Sequence, residues 1–295
     1  VSADRRYDGG MLVWLNGRIL PLENAHVSPL DRGFLFGDGV YEVVRFFDRV
    51  GMAMDAHIER LGRSLRLTGI EGFDAASMPS LCDRLLEAQP LRDACVYLQV
   101  TRGAAATRSH LPPPGLAPTV FAMATPCGSL DTLVAEPVAL SIQPDERWRR
   151  CEIKSTSLMG SLLPMLEASR HGAEEAILVR DGLVSEGSSS NVFVVRGDEV
   201  ATPPIDADPR ILRGTMRTLA IDAARQVGLA VAVRPVRERE LAAADEIWIT
   251  GSRRVLSSCV ALDGRPFGGG SPGPKAVSVI ASMRRMVGDL LVKTA

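Results

Sequence analysis

Three lysines stand among the 34 basic residues of this chain: Lys154, Lys275 and Lys293. Arginine supplies the positive charge everywhere else, so any lysine invites a reason beyond charge. A desolvated lysine amine with a lowered pKa can condense with a carbonyl to form a Schiff base, and a guanidinium cannot. Lys275 follows a Gly/Pro-rich stretch and Lys293 lies in the terminal tail, both ordinary places for a solvated ammonium. Lys154 instead interrupts the mid-chain run CEIKSTSLMG. Composition alone gives equal weight to a chance scatter of lysines in an arginine-rich sequence.

An enzyme working through a lysine-bound pyridoxal phosphate needs three further things: an acid opposite the ring nitrogen, a phosphate cradle and a holder for the substrate carboxylate. Glu186, in the loop SEGSSSN between two apolar runs, is the candidate acid, although composition alone favours a solvated glutamate in a polar turn. Gly214-Thr215 opens a predicted helix after ILR, where free N–H groups and the helix dipole favour an anion. Ordinary helix capping accounts for the same pair. Gly251-Ser252, after the strand-like EIWIT, is a second candidate cradle. Arg60 falls on the polar side of its predicted helix, either solvated or paired with phosphate. Arg108 and His110 lie two apart in ATRSHLPPPG and can face one anion if that loop is extended, although without context a solvated arginine beside an unrelated histidine is the favoured reading. Tyr41 follows the glycine-rich DRGFLFGDG, and its phenol can meet the same anion; turns or packing explain those glycines as well.

These residues need elements to position them. MLVWL and RIL flank Asn16-Gly17, a favoured two-residue hairpin turn. A strand is expected over Val40–Phe47, then an amphipathic helix with Ile58, Leu61 and Leu65 on one stripe. A second helix is expected over Met78–Ala88, with strands over Cys95–Thr101 and Thr119–Ala124. Residues 125–132 have linker composition. Beyond them come strands at Val138–Ile142, Ala176–Arg180, Asn191–Arg196, Ala230–Arg234 and Glu246–Thr250. Helices are expected over Ser161–His171, with Pro164 in its first turn, over Gly214–Val227, and along a last stripe of Ile280, Met283, Val287 and Leu290. Strands and helices do not alternate regularly, which favours a two-domain α+β protein over a doubly wound sheet.

Composition sets the outer limits. At 295 residues, 46% hydrophobic and 23% charged, the chain has ample material for a globular core. A net charge of −1, without a basic block, gives no sign of a polyanionic partner. No apolar run reaches the length of a membrane span, and VSADRRYDGG lacks the apolar core of a signal peptide. Five scattered cysteines without metal-ligand spacing suggest a reduced, cytoplasmic protein with no bound metal.

Taken in series, the stretches DRGFLFGDGVYEVVRF, HIERL, VYLQVTRG with the later RSH, ERWRRCEIKS, EEAIL and SEGSSSNVF resemble the fold-type IV (class IV) pyridoxal-phosphate aminotransferases. Within that family they are most similar to its D-amino acid branch, in the same order from Trp14 to Ser252. The resemblance implies a two-domain α+β fold with the cofactor between the domains. Residues 1–124 would form the smaller N-terminal domain, 125–132 the linker and 133–295 the larger cofactor-binding domain. Lys154 would hold pyridoxal 5'-phosphate covalently and shuttle the substrate proton. Glu186 would pair with the pyridine nitrogen, and Arg60, Gly214, Thr215, Gly251 and Ser252 would bind the phosphate. Leu212 would pack on the ring, with Ser188, Ser189 and Ser190 supporting its site. Tyr41, Val43, Arg108 and His110 would line the substrate site, the last two reaching over from the partner subunit of a homodimer. The activity implied is transfer of an amino group from a D-amino acid to a 2-oxo acid.

Two departures stand out. Members of the family commonly carry threonine where this chain has Met216, which falls on the apolar face of its predicted helix. The loop AAATRSHLPPPG ends in an unusual run of prolines. Three same-fold activities compete: L-branched-chain aminotransferase, (R)-amine transaminase and aminodeoxychorismate lyase. The Arg108/His110 pair argues against the first and the last.

Overall fold

The computed structural model describes residues 10–294; nearly all of the segment read above for a leader lies in residues 1–9, outside the described residues. The chain divides into two compact units. One runs to Cys127 and takes in Lys154–Ser157; the other holds Gly128–Ile153 and everything from Leu158 onward. The expected linker, 125–132, covers the end of the last strand of the first unit and a short 3-10 turn, Leu130–Thr132.

The first unit begins with the hairpin β1 (Leu12–Leu15) and β2 (Arg18–Pro21), turning at Asn16 and Gly17, both with positive φ as a type I′ turn requires. A short helix α1 (Arg32–Phe36) follows, then β3 (Gly39–Phe47), β4 (Val50–Gly51), α2 (Met54–Thr68), α3 (Met78–Ala88), β5 (Ala94–Thr101) and β6 (Thr119–Pro126). The six strands form one antiparallel sheet in the order β2-β1-β6-β5-β3-β4. The glycine-rich stretch before Tyr41 contains α1. Asp31 caps it by accepting from Gly33 N–H, and Gly37 ends it at φ 64°.

Strand β3 sets the chemistry of this unit through its alternation. Val40, Glu42, Val44 and Phe46 are buried on one face, while Tyr41 and Val43 are half-buried on the other. Helix α2 contacts β3 and buries His57, Arg60, Leu61, Ser64 and Leu65, the i, i+3, i+4, i+7, i+8 stripe of an amphipathic helix. Lys154–Ser157 lies along the edge of β3 that β5 leaves open. Tyr41 N–H donates to the Lys154 carbonyl at 3.0 Å and Thr156 N–H to the Gly39 carbonyl at 2.9 Å.

The second unit contains β7 (Glu136–Pro144), α4 (Met159–Arg170), β8 (Glu175–Arg180), β9 (Leu183–Gly187), β10 (Asn191–Arg196), β11 (Glu199–Thr202) and α5 (Thr215–Gln226). It continues with β12 (Ala230–Val233), β13 (Val236–Arg237), α6 (Glu238–Ala242), β14 (Glu246–Gly251), β15 (Val255–Leu262), β16 (Arg265–Pro266) and α7 (Pro274–Thr294). Its ten-stranded mixed sheet runs β12-β11-β10-β14-β15-β7-β8-β9-β13, with β16 paired to β15. The first and last strands of that order are separated in the chain only by Arg234-Pro235. Two residues span about 10 Å at most, so the sheet must curl round on itself. Val138, Leu140, Ile177, Val192, Val194, Ile247 and Ile249 fill the inside of the curl. The chain therefore has the two-domain α+β architecture, with a sheet in each unit.

Two expectations for this unit need correction. SEGSSSN is not a loop throughout, since Ser185, Glu186 and Gly187 belong to β9. Helix α4 starts two residues earlier than its polar first turn suggests, which places Pro164 inside the helix.

Glu246 anchors the last helix. Its buried carboxylate accepts from Trp248 Nε1 at 2.7 Å and from the N–H groups of Lys275 and Ala276 at 2.9 Å. A carboxylate there satisfies orphan donors at the positive end of the α7 dipole. Glu246→Ala is expected to lower the unfolding free energy by about 2–4 kcal/mol. Urea denaturation checks this, an unchanged midpoint being the outcome that counts against it.

Candidate active site

In the first unit, the side chain of Lys154 reaches over a neighbouring ring. Its Nζ stands 4.2 Å from the centroid of Tyr41, where the ring face attracts an ammonium. Its backbone is held from two sides, by the pairing with β3 and by the N–H that donates to Ser64 Oγ of α2 at 3.2 Å. Tyr41 in turn packs against Tyr97, with centroids 5.5 Å apart. Across the sheet, Val43 registers with Tyr97, and Tyr41 with Gln99, whose Oε1 accepts from the Tyr97 hydroxyl. Tyr41, Val43, Tyr97 and Gln99 thus form a half-exposed amphipathic patch on one sheet face. Tyr97 and Gln99 were missed in the sequence, although the alternation of VYLQVT exposes them as neighbours of Tyr41.

Behind the strand lies a buried charge cluster. Arg60 is not on a solvated helix face, as its sequence context suggests, but 6% exposed. Its Nε and Nη2 donate to the two oxygens of Glu42 at 2.8 and 2.7 Å. His57 Nδ1 contacts Glu42 Oε2 at 2.6 Å, and its buried Nε2 has no hydrogen-bond partner among the described residues. Burial acts to raise the Glu42 pKa, but the Arg60 guanidinium and the His57 contact overcome it and hold the carboxyl at about 2. Burial keeps His57 below its ordinary value in spite of Glu42. Glu42 and His57 were also missed. The signal was a carboxylate in the apolar column of β3 and a His–x–x–Arg pair on the Leu61 stripe.

The Arg108/His110 loop is exposed but not loose. The Arg108 guanidinium stands 5.0 Å from the Phe36 ring centroid, and the His110 ring packs on Phe36 at 5.5 Å.

The second unit holds the acid. Glu186 is buried on β9, and Arg147 Nη1 donates to its Oε1 at 2.6 Å. Its Oε2 accepts from Asn191 Nδ2 at 3.1 Å and from Leu212 N–H at 3.0 Å. Arg147 is itself forked onto Asp145, which also receives Arg180 and the Ser185 hydroxyl. Burial pushes the Glu186 carboxyl above its ordinary value, and Arg147 and the Leu212 N–H only partly pull it back. A cation placed against Glu186 would favour its charged form, as a protonated pyridine nitrogen does.

Asn191 organises the rest. Its Nδ2 also donates to the Leu212 carbonyl, and a Cβ on Gly214 would collide with its Oδ1. Gly214 is the N-cap of α5 and offers no side-chain cap, so the first N–H groups of that helix lack intrahelical acceptors. Arg217, in the same first turn, donates to Thr202 Oγ1 and the Pro203 carbonyl, and burial brings its guanidinium down to about 10. Thr250 registers with Asn191 across β10 and β14, and its buried hydroxyl has no partner among the described residues. Gly251 and Ser252 follow directly and are half-buried. An uncapped helix, an under-neutralised guanidinium and an orphaned hydroxyl suit a phosphate. The Met216 side chain is 1% exposed and belongs to the core, so it offers nothing to an anion. Ser189 N–H and the Ser190 hydroxyl are taken up by Glu175, and Ser188 N–H by the Ala176 carbonyl. These serines brace the turn after Glu186. Among the described residues no cluster of His, Cys, Asp or Glu has metal-site geometry.

The family model for class IV amino-transferases matches residues 39–262. The D-alanine aminotransferase of Bacillus licheniformis is 36% identical over 285 residues, 96% of this chain and 100% of that relative. Among solved structures, the branched-chain aminotransferase of Thermoproteus uzoniensis with norvaline matches with a TM-score of 0.82 at 27% identity, covering 95% of each chain. The branched-chain amino acid aminotransferase of T.th., complexed with N-(5'-phosphopyridoxyl)-L-glutamate, shares the fold with a TM-score of 0.84 at 24% identity, covering 95% of this chain and 94% of that one.

The Glu42 cluster has a pH signature. A depressed carboxyl pKa contributes stability that is fully present above the ordinary 4.5 and is lost as pH falls through about 2. His57 acts in the same sense, its contribution fading as pH falls below the ordinary histidine value. Resistance to urea is therefore expected to fall steadily as pH drops from 4.5 to 2 in the parent protein. Glu42→Gln should be about 3–5 kcal/mol less stable at neutral pH, with a flatter dependence in acid. Equal acid slopes for the two proteins would remove Glu42 from this role.

Proposed function

The chain belongs to the class IV aminotransferases, and we propose that it moves the amino group of a D-amino acid such as D-alanine to a 2-oxo acid such as 2-oxoglutarate. The enzyme depends on pyridoxal phosphate, which when bound supplies an aldehyde to take up the amino group and a ring to delocalise charge from Cα. The observation that carries the D-amino acid reading is the Arg108–Ser109–His110 segment, with the guanidinium and the imidazole both seated on Phe36. A carboxylate held by a guanidinium and an imidazole fixes one substituent of Cα. Holding it at one defined place relative to Lys154 selects one hand of the amino acid.

We assign Lys154 the covalent hold on the cofactor and the role of general base that would move the Cα proton. The face of the Tyr41 ring lies beside the Lys154 amine and helps to position it. Glu186 keeps a proton on the ring nitrogen, with Arg147 and Asn191 fixing its two oxygens. Phosphate falls to Gly214, Thr215, Gly251 and Ser252, with Thr250 and Arg217 as added donors that compensate for Met216, and to Arg60, oriented by Glu42. Leu212 packs on the ring, Ser188 to Ser190 brace the turn behind it, and Val43 lines the substrate side of Tyr41. Amino donor and acceptor use the same groups in turn, so the kinetics are ping-pong.

We also infer a homodimer that shares its active sites, Arg108 and His110 serving the partner's Lys154. Helix α4 supports this with an exposed row of Met159, Leu162, Leu163 and Leu166, an apolar patch that calls for cover. All five cysteines are free, which supports a reducing, cytoplasmic setting. No helix among the described residues is long and apolar enough to cross a membrane.

The holoenzyme's visible absorption is expected to bleach on addition of D-alanine and to persist with L-leucine. Bleaching by L-leucine alone would transfer the protein to the branched-chain branch, to which the T. uzoniensis structure belongs. Shared sites are tested by mixing Lys154→Ala with Arg108→Ala under subunit exchange, assayed at D-alanine far below the raised KM expected of Arg108→Ala. One of the two sites in each mixed dimer is then intact, and about a quarter of parental activity is expected to return. No recovery, with exchange verified, would place Arg108 in the site of its own subunit or outside any site.

A further inference from the structure

The geometry points to Arg32 as a positioning residue for the Arg108/His110 pair, acting through the main chain of the loop that carries it. This rests on reading that pair as the carboxylate holder.

Arg32 is 4% exposed and uses its guanidinium in four directions. Nε donates to Asp38 Oδ2 at 2.8 Å, Nη1 to the Ser109 carbonyl at 2.6 Å and Nη2 to the His110 carbonyl at 2.8 Å, while the plane lies over Phe36 at 4.8 Å. Two successive carbonyls bound by one rigid fork leave little freedom in the peptide between them. The directions in which side chains 108 and 110 leave the backbone follow from that restriction. Phe36 then supplies a common seat, carrying Arg108 and His110 besides Arg32.

The clamp is anchored from below. Arg102 holds Asp38 through Nε and Nη2, and its remaining donors reach the carbonyls of Thr68 and Gly69 at the end of α2. Arg32 N–H donates to the Gly103 carbonyl, so the loop is tied at its root as well as its tip. Lysine cannot replace arginine here. A single ammonium could keep the Asp38 ion pair but could not bind both carbonyls in fork geometry.

The test uses the holoenzyme and the half-reaction with D-alanine. Arg32→Lys is expected to keep the absorption of the lysine-bound cofactor and to raise KM by about 10- to 100-fold, as misplacement of a binding group does. The kcat should stay within about threefold, since proton transfer is untouched. Asp38→Asn, which leaves the fork on the two carbonyls, should hold KM within about threefold. A folded Arg32→Lys enzyme with unchanged KM overturns the inference. So does an Asp38→Asn enzyme whose KM rises as far, because the ion pair would then be the cause. Should Arg32→Lys fail to fold, Phe36→Leu decides: loss of the shared seat raises KM severalfold, and an unchanged KM overturns the inference. Arg108→Ala separates the two levels. If it leaves KM unaltered, the carboxylate-holder reading falls; if it raises KM while Arg32→Lys does not, only the role of Arg32 falls.

Discussion

A lysine that is to react must be held by something other than its charge, because a charge that is fully paired is also quenched. In this chain the holding is done by main-chain pairing. The Lys154 carbonyl takes the Tyr41 N–H, the Gly39 carbonyl takes the Thr156 N–H, and Ser64 receives the Lys154 N–H. Four residues are thereby removed from the unit that surrounds them in sequence and attached to an edge of β3. The amine is left against an aromatic face, where attraction is weaker than in a salt bridge. The alternation of β3 carries the rest, aromatic and amphipathic residues on one side and Glu42 on the other.

The two buried carboxylates follow opposite electrostatic logic. Glu42 is surrounded by Arg60 and His57, and its charge is satisfied within its own unit. It orients a guanidinium and has nothing left to give. Glu186 faces Arg147, but that guanidinium is shared with Asp145, which repels Glu186 in turn. The result is a carboxyl with its position fixed by three donors and its charge incompletely balanced. Such a group suits a cationic nitrogen better than a structural role, where burial without full compensation only costs stability.

Much of this was legible in the sequence wherever the signal was local. The hairpin at Asn16-Gly17, the span of α3, the core position of Met216 and the two-domain α+β class follow from turn chemistry, periodicity and the order of the elements. Lys154 stood out because lysine is so rare in this chain. What escaped were features decided by distant partners. Glu186 looks solvated among serines because Arg147 and Leu212, far off in sequence, bury and bond it. Arg60 looks solvated for the same reason, its partner Glu42 lying on another element. Strand β15 was missed because Ser257 and Ser258 interrupt its apolar pattern, and both prove to be buried. Helix α1 is too short for periodicity to reveal, and only its cap at Asp31 and its stop at Gly37 define it.

The fork of Arg32 grips carbonyl oxygens, which every amino acid possesses, and not the side chains of the loop it secures. Its grip is therefore indifferent to what positions 108 to 110 contain. The frame that holds the turn and the groups that the turn displays are separable: one can be kept while the other is rewritten. A loop mounted in this way behaves as an interchangeable reading head, so a new anion preference could arise there by exchange of one or two side chains without first solving the folding of the loop again.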